Sequence, residues 1–245
     1  MKSIRATSVR ARALAFLFTH ERLENFAIVY YSIWFDSEHD DNNSEDVPRS
    51  VLDSMSIEEI EATSVEQFDP YRATGLWHIL ATNLPIWKNK LLPTVTYSIH
   101  EKLADGRVCL NDLVEYQSKR PCVGYRQTSI DGIDSQLTTK PSRFQWQGTG
   151  MWRLFKNDFG YVAVDNQTST ERPYEWLAKI SSATLWSTAG IDLMTRTRQP
   201  PTYVLNEFVR FCRDHPLLRL KSANMFYTRE KPNDEIYYIR DLQID

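Results

Sequence analysis

Glycine is scarce in this sequence, with 8 residues among 245. A Rossmann sheet uses glycines at its phosphate-binding turn and at close helix–strand contacts, so the shortage argues against that fold. No run of 18 apolar residues occurs, which excludes a conventional membrane-spanning helix. The formal charge is only −3. This near-neutral balance does not favour nucleic acid or an anionic membrane as a partner, and it leaves the protein free to associate with itself.

Cysteine and histidine offer no metal-binding pattern. Cys109, Cys122 and Cys212 form no CxxC motif, and one of them stays unpaired under any pairing. Such usage is typical of buried thiols in a reducing compartment. The five histidines are scattered without ligand spacing. We therefore expect neither a structural zinc ion nor another metal site.

The motifs of common enzymes are also missing. GxSxG, HExxH and HxE…CxxC do not occur. Gly148-Thr149-Gly150 is no Walker loop, because no Gly-Lys-Ser/Thr follows it, and in a GxGxxG motif the third glycine would fall at Arg153. Cys212 and His215 are three residues apart and could form a nucleophile and base, but a buried thiol beside a helix-ending histidine is the favoured interpretation. The sequence predicts no catalytic residue and no enzyme.

Aromatic residues are plentiful, at 12% of the chain. Their densest stretch is SRFQWQGTGMWRLFKNDFGYVAV, which begins at Ser142. We interpret it as a hairpin of two strands, Phe144–Lys156 and Phe159–Val164, across an Asn-Asp turn. Gly150 would allow the bend that lets Trp146 and Trp152 pack. The stretch is interpreted as architecture rather than as a phosphate site.

The first 25 residues form a separate unit. Helical spacing of apolar residues from Thr7 to Asn25 predicts an amphipathic arm. The basic start resembles a transit peptide loosely, but a retained arm is favoured. The residues of the arm that we expect to dock are Phe16, Leu17 and Leu23. The remainder, 26–245, is predicted to be a single domain. It begins with the strand FAIVYYSIWF, which is apolar on both faces.

Helices and hairpins alternate in the remaining chain. Ser56 opens a capping box and a short helix, and Ala73–Asn83 is predicted to be a second helix. A hairpin turns at Ala104-Asp105-Gly106. Further elements are a strand in ATLWSTAGIDLMT, a helix at Tyr203–Asp214 and a hairpin of residues 225–229 and 235–242. The predicted fold is α+β, an antiparallel β-sandwich core with a protruding N-terminal helix and a few additional helices.

The order of these elements resembles the cypovirus polyhedrins. The resemblance rests on the basic helix opened by ATSVRAR, the aromatic strand FAIVYYSIWFD, and the total length. It rests further on Trp146, Thr149 and Gly150, then a short basic strand, and on Gly160 and Tyr161. About sixty residues after Gly150, Arg210, Phe211 and Cys212 fall on a helix.

The resemblance implies a structural viral protein that crystallises inside infected cells. Such a protein assembles as a homotrimer into an occlusion body in the cytoplasm, encloses virus particles and dissolves at alkaline pH. A bound nucleotide is possible by resemblance, but no cofactor is predicted. The residues assigned to structure and assembly are Phe16, Leu17, Leu23, Trp146, Thr149, Gly150, Trp152, Gly160, Tyr161, Arg210, Phe211 and Cys212.

Two other function classes stay open at this point. The first is another viral structural protein, such as a capsid or matrix protein that binds a partner through its N-terminal arm. The second is an enzyme or a winged-helix regulator, in which Arg210, Arg213 and Arg219 would face DNA. Acidic residues lie among these basic ones, and a single helix precedes the last hairpin, which disfavours the winged helix.

Overall fold

The computed structural model describes residues 56–165, 172–184, 188–222 and 224–239. Phe16, Leu17, Leu23 and the strand expected near residues 26–35 lie outside this part of the chain. The predicted division into an arm of residues 1–25 and a domain of residues 26–245 is therefore still a prediction. No helix within the described ranges is long and apolar enough to cross a membrane.

The described chain is dominated by antiparallel strands, each paired with the next along the sequence. β1 pairs with β2 through its first half and with β8 through its second half. These two pairings close β1 to β8 into a barrel, with β9 attached beside the end of β1. The strands are β1 Gly75–Thr82, β2 Lys90–Lys102, β3 Val108–Arg120, β4 Gly124–Gln136, β5 Arg143–Gly148, β6 Lys156–Val164, β7 Trp176–Ser181, β8 Gly190–Thr195 and β9 Phe226–Tyr227.

The predicted β-sandwich is wrong. A sandwich has two sheets whose edges stay open, whereas the pairing of β1 with β8 joins the two ends of one continuous sheet. Alternating apolar residues occur in both architectures, because each buries one face of every strand. The contact that distinguishes them joins residues more than a hundred positions apart, such as His78 and Thr195.

Two apolar clusters lie on opposite faces of the barrel wall. The inner cluster is rich in aromatic rings, including Trp77, Phe144, Phe159 and Tyr161, all at most 2% exposed. The outer cluster includes Leu80, Ile191 and Leu193, which helices cover. A wall buried on both faces explains why β8 is apolar along most of its length.

In the part of the chain that the structure describes, three α-helices lie outside the barrel: α1 Ile57–Thr63, α2 Thr202–Asp214 and α3 Pro216–Ser222. α2 begins after a proline and turns Val204, Phe208 and Cys212 toward the outer cluster. Their spacing of four residues puts these side chains on one face of the helix. The sequence-predicted helix at Tyr203–Asp214 is confirmed, to within one residue at its start.

α1 begins as the sequence predicts. The Ser56 hydroxyl accepts a hydrogen bond from the backbone of Glu59, and the Glu59 carboxylate accepts one from the backbone of Ser56. This reciprocal pair satisfies two amide groups that the first turn leaves free. α1 packs on β6, and Glu61 reaches the fully buried Arg143 at 3.2 Å.

The structure corrects two further local predictions. The segment predicted to be the helix Ala73–Asn83 contains β1, whose apolar residues face both sides of the wall. Short apolar runs do not distinguish a buried helix from a buried strand. The β5–β6 hairpin exists, but it turns through a short 3-10 helix at Gly150–Trp152, while Asn157 and Asp158 lie within β6. The hairpin predicted at Ala104–Gly106 is confirmed.

A candidate binding site inside the barrel

Three carboxyl groups lie at mid-height inside the barrel. Asp112 on β3, Asp134 on β4 and Asp192 on β8 are 4%, 0% and 3% exposed. Asp112 and Asp134 come from neighbouring strands. Asp112 pairs with Gly132, and Asp134 is two residues from Gly132, so both side chains point to the same face of the sheet. Burial of three carboxyls in one barrel is unusual, because acidic side chains are rarely buried without partners.

Two tyrosine hydroxyls face these carboxyls. Tyr97 lies directly opposite Asp112 in the β2–β3 pair, and Tyr161 projects from β6 on the far wall. Both side chains are at most 1% exposed. The two hydroxyls approach one another across the interior, but neither has a hydrogen bond of ordinary geometry within the described structure.

Six polar atoms of this cluster have no hydrogen-bond partner in the part of the protein that the structure describes. They are both carboxylate oxygens of Asp134, Oδ1 of Asp112, Oδ1 of Asp192, and the hydroxyl oxygens of Tyr97 and Tyr161. A buried polar group left without a partner costs about 1–3 kcal/mol. A native fold that retains six such atoms together is ready to accept hydrogen-bonding groups from a molecule that enters the barrel.

Lys179, on β7, is the basic residue nearest to this cluster of carboxyls and hydroxyls. It is opposite Asp192 and Tyr161 in the strand pairing. Its ammonium group lies 5.0 Å from the ring centroid of Phe159, and it forms no ion pair within 4.0 Å with any carboxylate among the described residues. It therefore attracts the carboxylates electrostatically without donating a hydrogen bond to their oxygens.

Burial makes it hard for these groups to carry charge. Loss of hydration raises the pKa of Asp112 to about 6 and that of Asp134 well above its usual range, although Lys179 opposes the shift for both. The same cause raises the pKa of Asp192. Loss of hydration also raises the pKa of Tyr97 and that of Tyr161. Two carboxyls this close favour a state in which one proton is held between them. In the ligand-free protein that shared proton pairs one oxygen of Asp134 and leaves its other oxygen without a donor.

Trp146 covers the acidic pair from β5. It is opposite Asp134 in the β4–β5 pairing, and its indole leans over Gly132. A Cβ atom at Gly132 would lie 1.9 Å from the indole nitrogen, so only glycine leaves room for the ring in this position. Trp146 is half-buried. It thus links the acidic pair to the accessible surface.

The two ends of the barrel differ. Phe68, from the segment before β1, stacks on Tyr161 and Tyr174 with centroid distances of 4.3 and 5.6 Å, and these rings fill one end. The other end carries the loops β1–β2, β3–β4, β5–β6 and β7–β8. There Trp87 meets the ring of Tyr116 edge-on at 5.7 Å. Aromatic rings thus lie at both ends, and Trp146 is the partly exposed ring beside the carboxyls.

The structure separates the residues that the sequence assigns to one assembly role. Trp146 and Tyr161 face the barrel interior, and Tyr161 is fully buried beside the carboxyls. Thr149 donates from its backbone and its hydroxyl to the carbonyl of Asp131. Gly150 has φ +54, as the predicted bend requires, and Trp152 is half-buried against Phe155.

The remaining predicted residues lie on the outside of the barrel wall. Gly160 lies beneath α1, where a Cβ atom would be 2.1 Å from the Ser64 hydroxyl. On α2, Cys212 is buried in the outer cluster, Phe211 packs at its margin, and the side chain of Arg210 is 77% exposed. Burial and loss of hydration raise the pKa of the Cys212 thiol to about 12, which makes it an unreactive side chain rather than a nucleophile.

Sequence reasoning assigned no role to Asp112, Asp134, Asp192 or Tyr97. A signal was present in β3, where Leu110, Asp112, Val114 and Tyr116 alternate along one face. An aspartate in the inward register of a strand indicates a buried charge. That signal becomes visible only once the register of the strand is known.

No family model matches the chain, and no curated protein matches it. Among solved structures, the barrel is similar to lobster apocrustacyanin A1, at 10% identity and a TM-score of 0.48, over 76% of this chain and 94% of that one. It is also similar to apocrustacyanin C2, at 10% identity and a TM-score of 0.46, over 74% and 88%. Likeness at this distance carries no assignment of function. The strand pairing itself defines an eight-stranded up-and-down barrel, the architecture that lipocalins use.

The resemblance to cypovirus polyhedrins is wrong. The β-sandwich that it implied is absent from the described chain, where the strands close into a barrel. The occlusion-body function, the homotrimer in a crystal and the enclosed virus particles depended on that resemblance and are wrong with it. A cytoplasmic location was also favoured by the cysteine usage, and it stays a prediction.

Proposed function

We propose that this domain is a binding protein that holds one small molecule inside its barrel, rather than an enzyme. The observation that carries the proposal is the set of six buried polar atoms inside the barrel that have no hydrogen-bond partner among the described residues. An eight-stranded barrel is wide enough either for its own side chains or for one small ligand. Here the closed end is filled by side chains, and the polar layer lies between that end and the loops.

The lining also has the composition of a small-molecule site. Such sites have mostly apolar and aromatic walls with a few polar groups that fix the orientation of the ligand. Trp77, Phe144 and Phe159 supply aromatic walls, while Asp112, Asp134 and Tyr97 supply the polar groups. Because these side chains project from strands rather than loops, the site is held in place before a ligand arrives.

Access to the interior is available on one side of the wall. Trp146 on β5 and Lys179 on β7 are both only partly buried, although both belong to the inward register of their strands. A molecule that displaces the outer edge of the Trp146 ring would reach Asp134 directly. The site is thus enclosed by a side chain that can change rotamer, not by rigid backbone.

The test is a binding screen on the purified full-length chain. A panel of compact aromatic amines, alcohols and acids of matched size is titrated by calorimetry, and tightly held molecules are sought by mass spectrometry after acid extraction. One compound should bind saturably with 1:1 stoichiometry, and Asp134→Leu, which fills the interior, should abolish binding. Glu101→Gln, at an exposed position of β2, is the control and should bind normally. Absence of saturable binding across the whole panel would refute the proposal.

A further inference from the structure

The charge inside the barrel is unbalanced. Asp112 and Asp134 are neighbours in the barrel interior, Asp192 lies on β8, and Lys179 is a cation that acts on each of the three. Asp131, on the outer face of β4, adds further negative potential at Asp112. Arg196 acts on Tyr161 from the closed end, but its guanidinium is committed to backbone carbonyls.

A second observation, independent of the carboxyls, points to a ligand at the same place. The hydroxyls of Tyr97 and Tyr161 are buried, have no hydrogen bond of ordinary geometry among the described residues, and interact electrostatically with Asp112 and Asp134. A hydroxyl can accept a hydrogen bond as well as donate one. Together with the carboxylate oxygens, they supply acceptors from the strands β2, β3, β4 and β6.

We propose that the barrel takes a small organic ammonium ion, whose nitrogen donates to Asp112 and Asp134 and whose substituent lies against Trp146. This inference rests on the proposed binding function and adds the chemical class of the ligand. An ammonium group has up to three donors and no acceptor, which matches the unpaired oxygens. Aromatic faces attract organic cations when water is excluded, and Trp146 is placed over the acidic pair to provide one.

A metal ion fits this cluster less well than an organic cation. Within the described ranges, no three carboxylate, histidine or cysteine side chains are grouped closely enough to hold a metal ion. Calcium takes six to eight oxygen ligands at 2.3–2.6 Å. The aromatic side chains around Asp134 also supply no further oxygen atoms, so they cannot complete the set of ligands that calcium needs.

Proton linkage separates an ammonium ligand from a neutral one. The ligand-free pair favours its protonated form, because burial raises the pKa of Asp112 to about 6 and raises that of Asp134 well above its ordinary value. An ammonium ion needs the ionised form, so its binding releases a proton. Its affinity should increase by up to about tenfold per pH unit while the pH is below the pKa of the group that ionises. A neutral alcohol should show no such increase, since it can bind the protonated pair.

The experiment compares 2-phenylethylammonium chloride with 2-phenylethanol, which has the same shape without the charge. Both are titrated into the full-length chain by calorimetry at pH 5, 6 and 7, in buffers of different ionisation enthalpy. The ammonium ion should bind at least about tenfold more tightly than the alcohol at pH 7, with proton release that increases its affinity from pH 5 to pH 7. Equal affinities, or an ammonium affinity independent of pH, would overturn the inference.

Variants assign the effect to the acidic pair. Asp134→Asn should weaken ammonium binding by about tenfold or more, should weaken alcohol binding much less, and should reduce the proton release. Glu101→Gln removes one carboxylate from the exposed end of β2 and should change neither. Circular dichroism confirms that both variants are folded. Unchanged ammonium binding in Asp134→Asn would contradict the inference.

The outcomes also distinguish a failure of this inference from a failure of the proposed binding function. If an alcohol or an acid of the panel binds and the ammonium ion does not, the barrel is a small-molecule site of different chemistry and the inference is wrong. If no compound of any charge binds, the proposed function is wrong as well. Binding of the ammonium ion that survives Asp134→Leu would place it outside the barrel and refute both.

Discussion

The guanidinium of Arg196 lies flat over the indole of Trp77, with 3.6 Å between Cζ and the ring centroid. From this position it donates hydrogen bonds to the backbone carbonyls of Arg72, Tyr174 and Leu76. Arg196 follows the last strand of the barrel and Trp77 belongs to the first. The contact therefore fastens the closing seam of the barrel at the end opposite the loops.

Arg196→Ala should be strongly destabilising. The change removes a cation from the face of Trp77 and leaves three carbonyls without their donors, so we expect a loss of about 3 kcal/mol or more in the free energy of unfolding. Urea denaturation measures this loss. Arg210→Ala, at an exposed site of α2, is the control and should change stability by less than about 0.5 kcal/mol. Similar losses in the two variants would mean that Arg196 does not hold the seam.

Asp134→Asn should stabilise the ligand-free protein at neutral pH but not in acid. The pKa of Asp134 is raised in the folded state, so the unfolded chain loses this proton first as the pH increases. Stability is therefore lost as the pH rises above about 4, by up to about 1.4 kcal/mol per pH unit until the folded group ionises. An amide cannot ionise and avoids that loss.

The measurement for Asp134→Asn is the free energy of unfolding at pH 4 and at pH 7. We expect the variant to match the native chain at pH 4 and to exceed it by about 1–3 kcal/mol at pH 7. Glu101→Gln should give no difference between the two pH values. A variant equally destabilised at both values would show that the carboxyl makes a structural contact instead.

The local elements could be predicted from the sequence better than their assembly. The capping box at Ser56 and the turn at Ala104–Gly106 depend on residues a few positions apart, and both predictions are confirmed. The closure of the barrel depends on β1 pairing with β8, which no local pattern encodes. β1 itself was predicted as a helix, because both of its faces are buried and its apolar residues show no period of two.

The candidate site was beyond the reach of sequence patterns for a related reason. Asp112 and Asp134 are separated by a hairpin, and Tyr161 comes from the opposite wall. Their proximity follows from the closed sheet and not from any spacing along the chain. Trp146 and Tyr161 were singled out, but as parts of an aromatic hairpin, since nothing in their neighbourhood in sequence indicates an acidic group.

Gly160→Ala should loosen α1 from the barrel. The added methyl group would lie 2.1 Å from the Ser64 hydroxyl and 2.9 Å from Cδ of Arg143, so the helix must shift. We expect a loss of about 1–3 kcal/mol in the free energy of unfolding, which thermal or urea denaturation measures. Ser64→Gly in the same chain should recover part of this loss because it removes the nearest atom. No recovery would indicate that Arg143, not Ser64, is the obstacle.

Gly132→Ala should expel Trp146 from the mouth of the site. The new Cβ atom would fall 1.9 Å from the indole nitrogen and 2.4 Å from Cε2, and the ring cannot stay over Gly132. Overpacking of this kind costs about 1–3 kcal/mol, and the displaced indole should emit at a longer wavelength because water then surrounds it. Denaturation and tryptophan fluorescence of the single variant measure the two effects.

A double-mutant cycle decides whether the cost comes from the ring. In a Trp146→Leu background, Gly132→Ala no longer meets an indole, so its cost should fall by at least about 1 kcal/mol relative to the native background. Gly132 is paired with Asp112 and Gly148 along the strands, and its backbone is the same in both backgrounds. Equal costs in the two backgrounds would show that alanine disturbs the strand itself. In that case the indole could move away from Asp134 whether or not residue 132 carries a side chain.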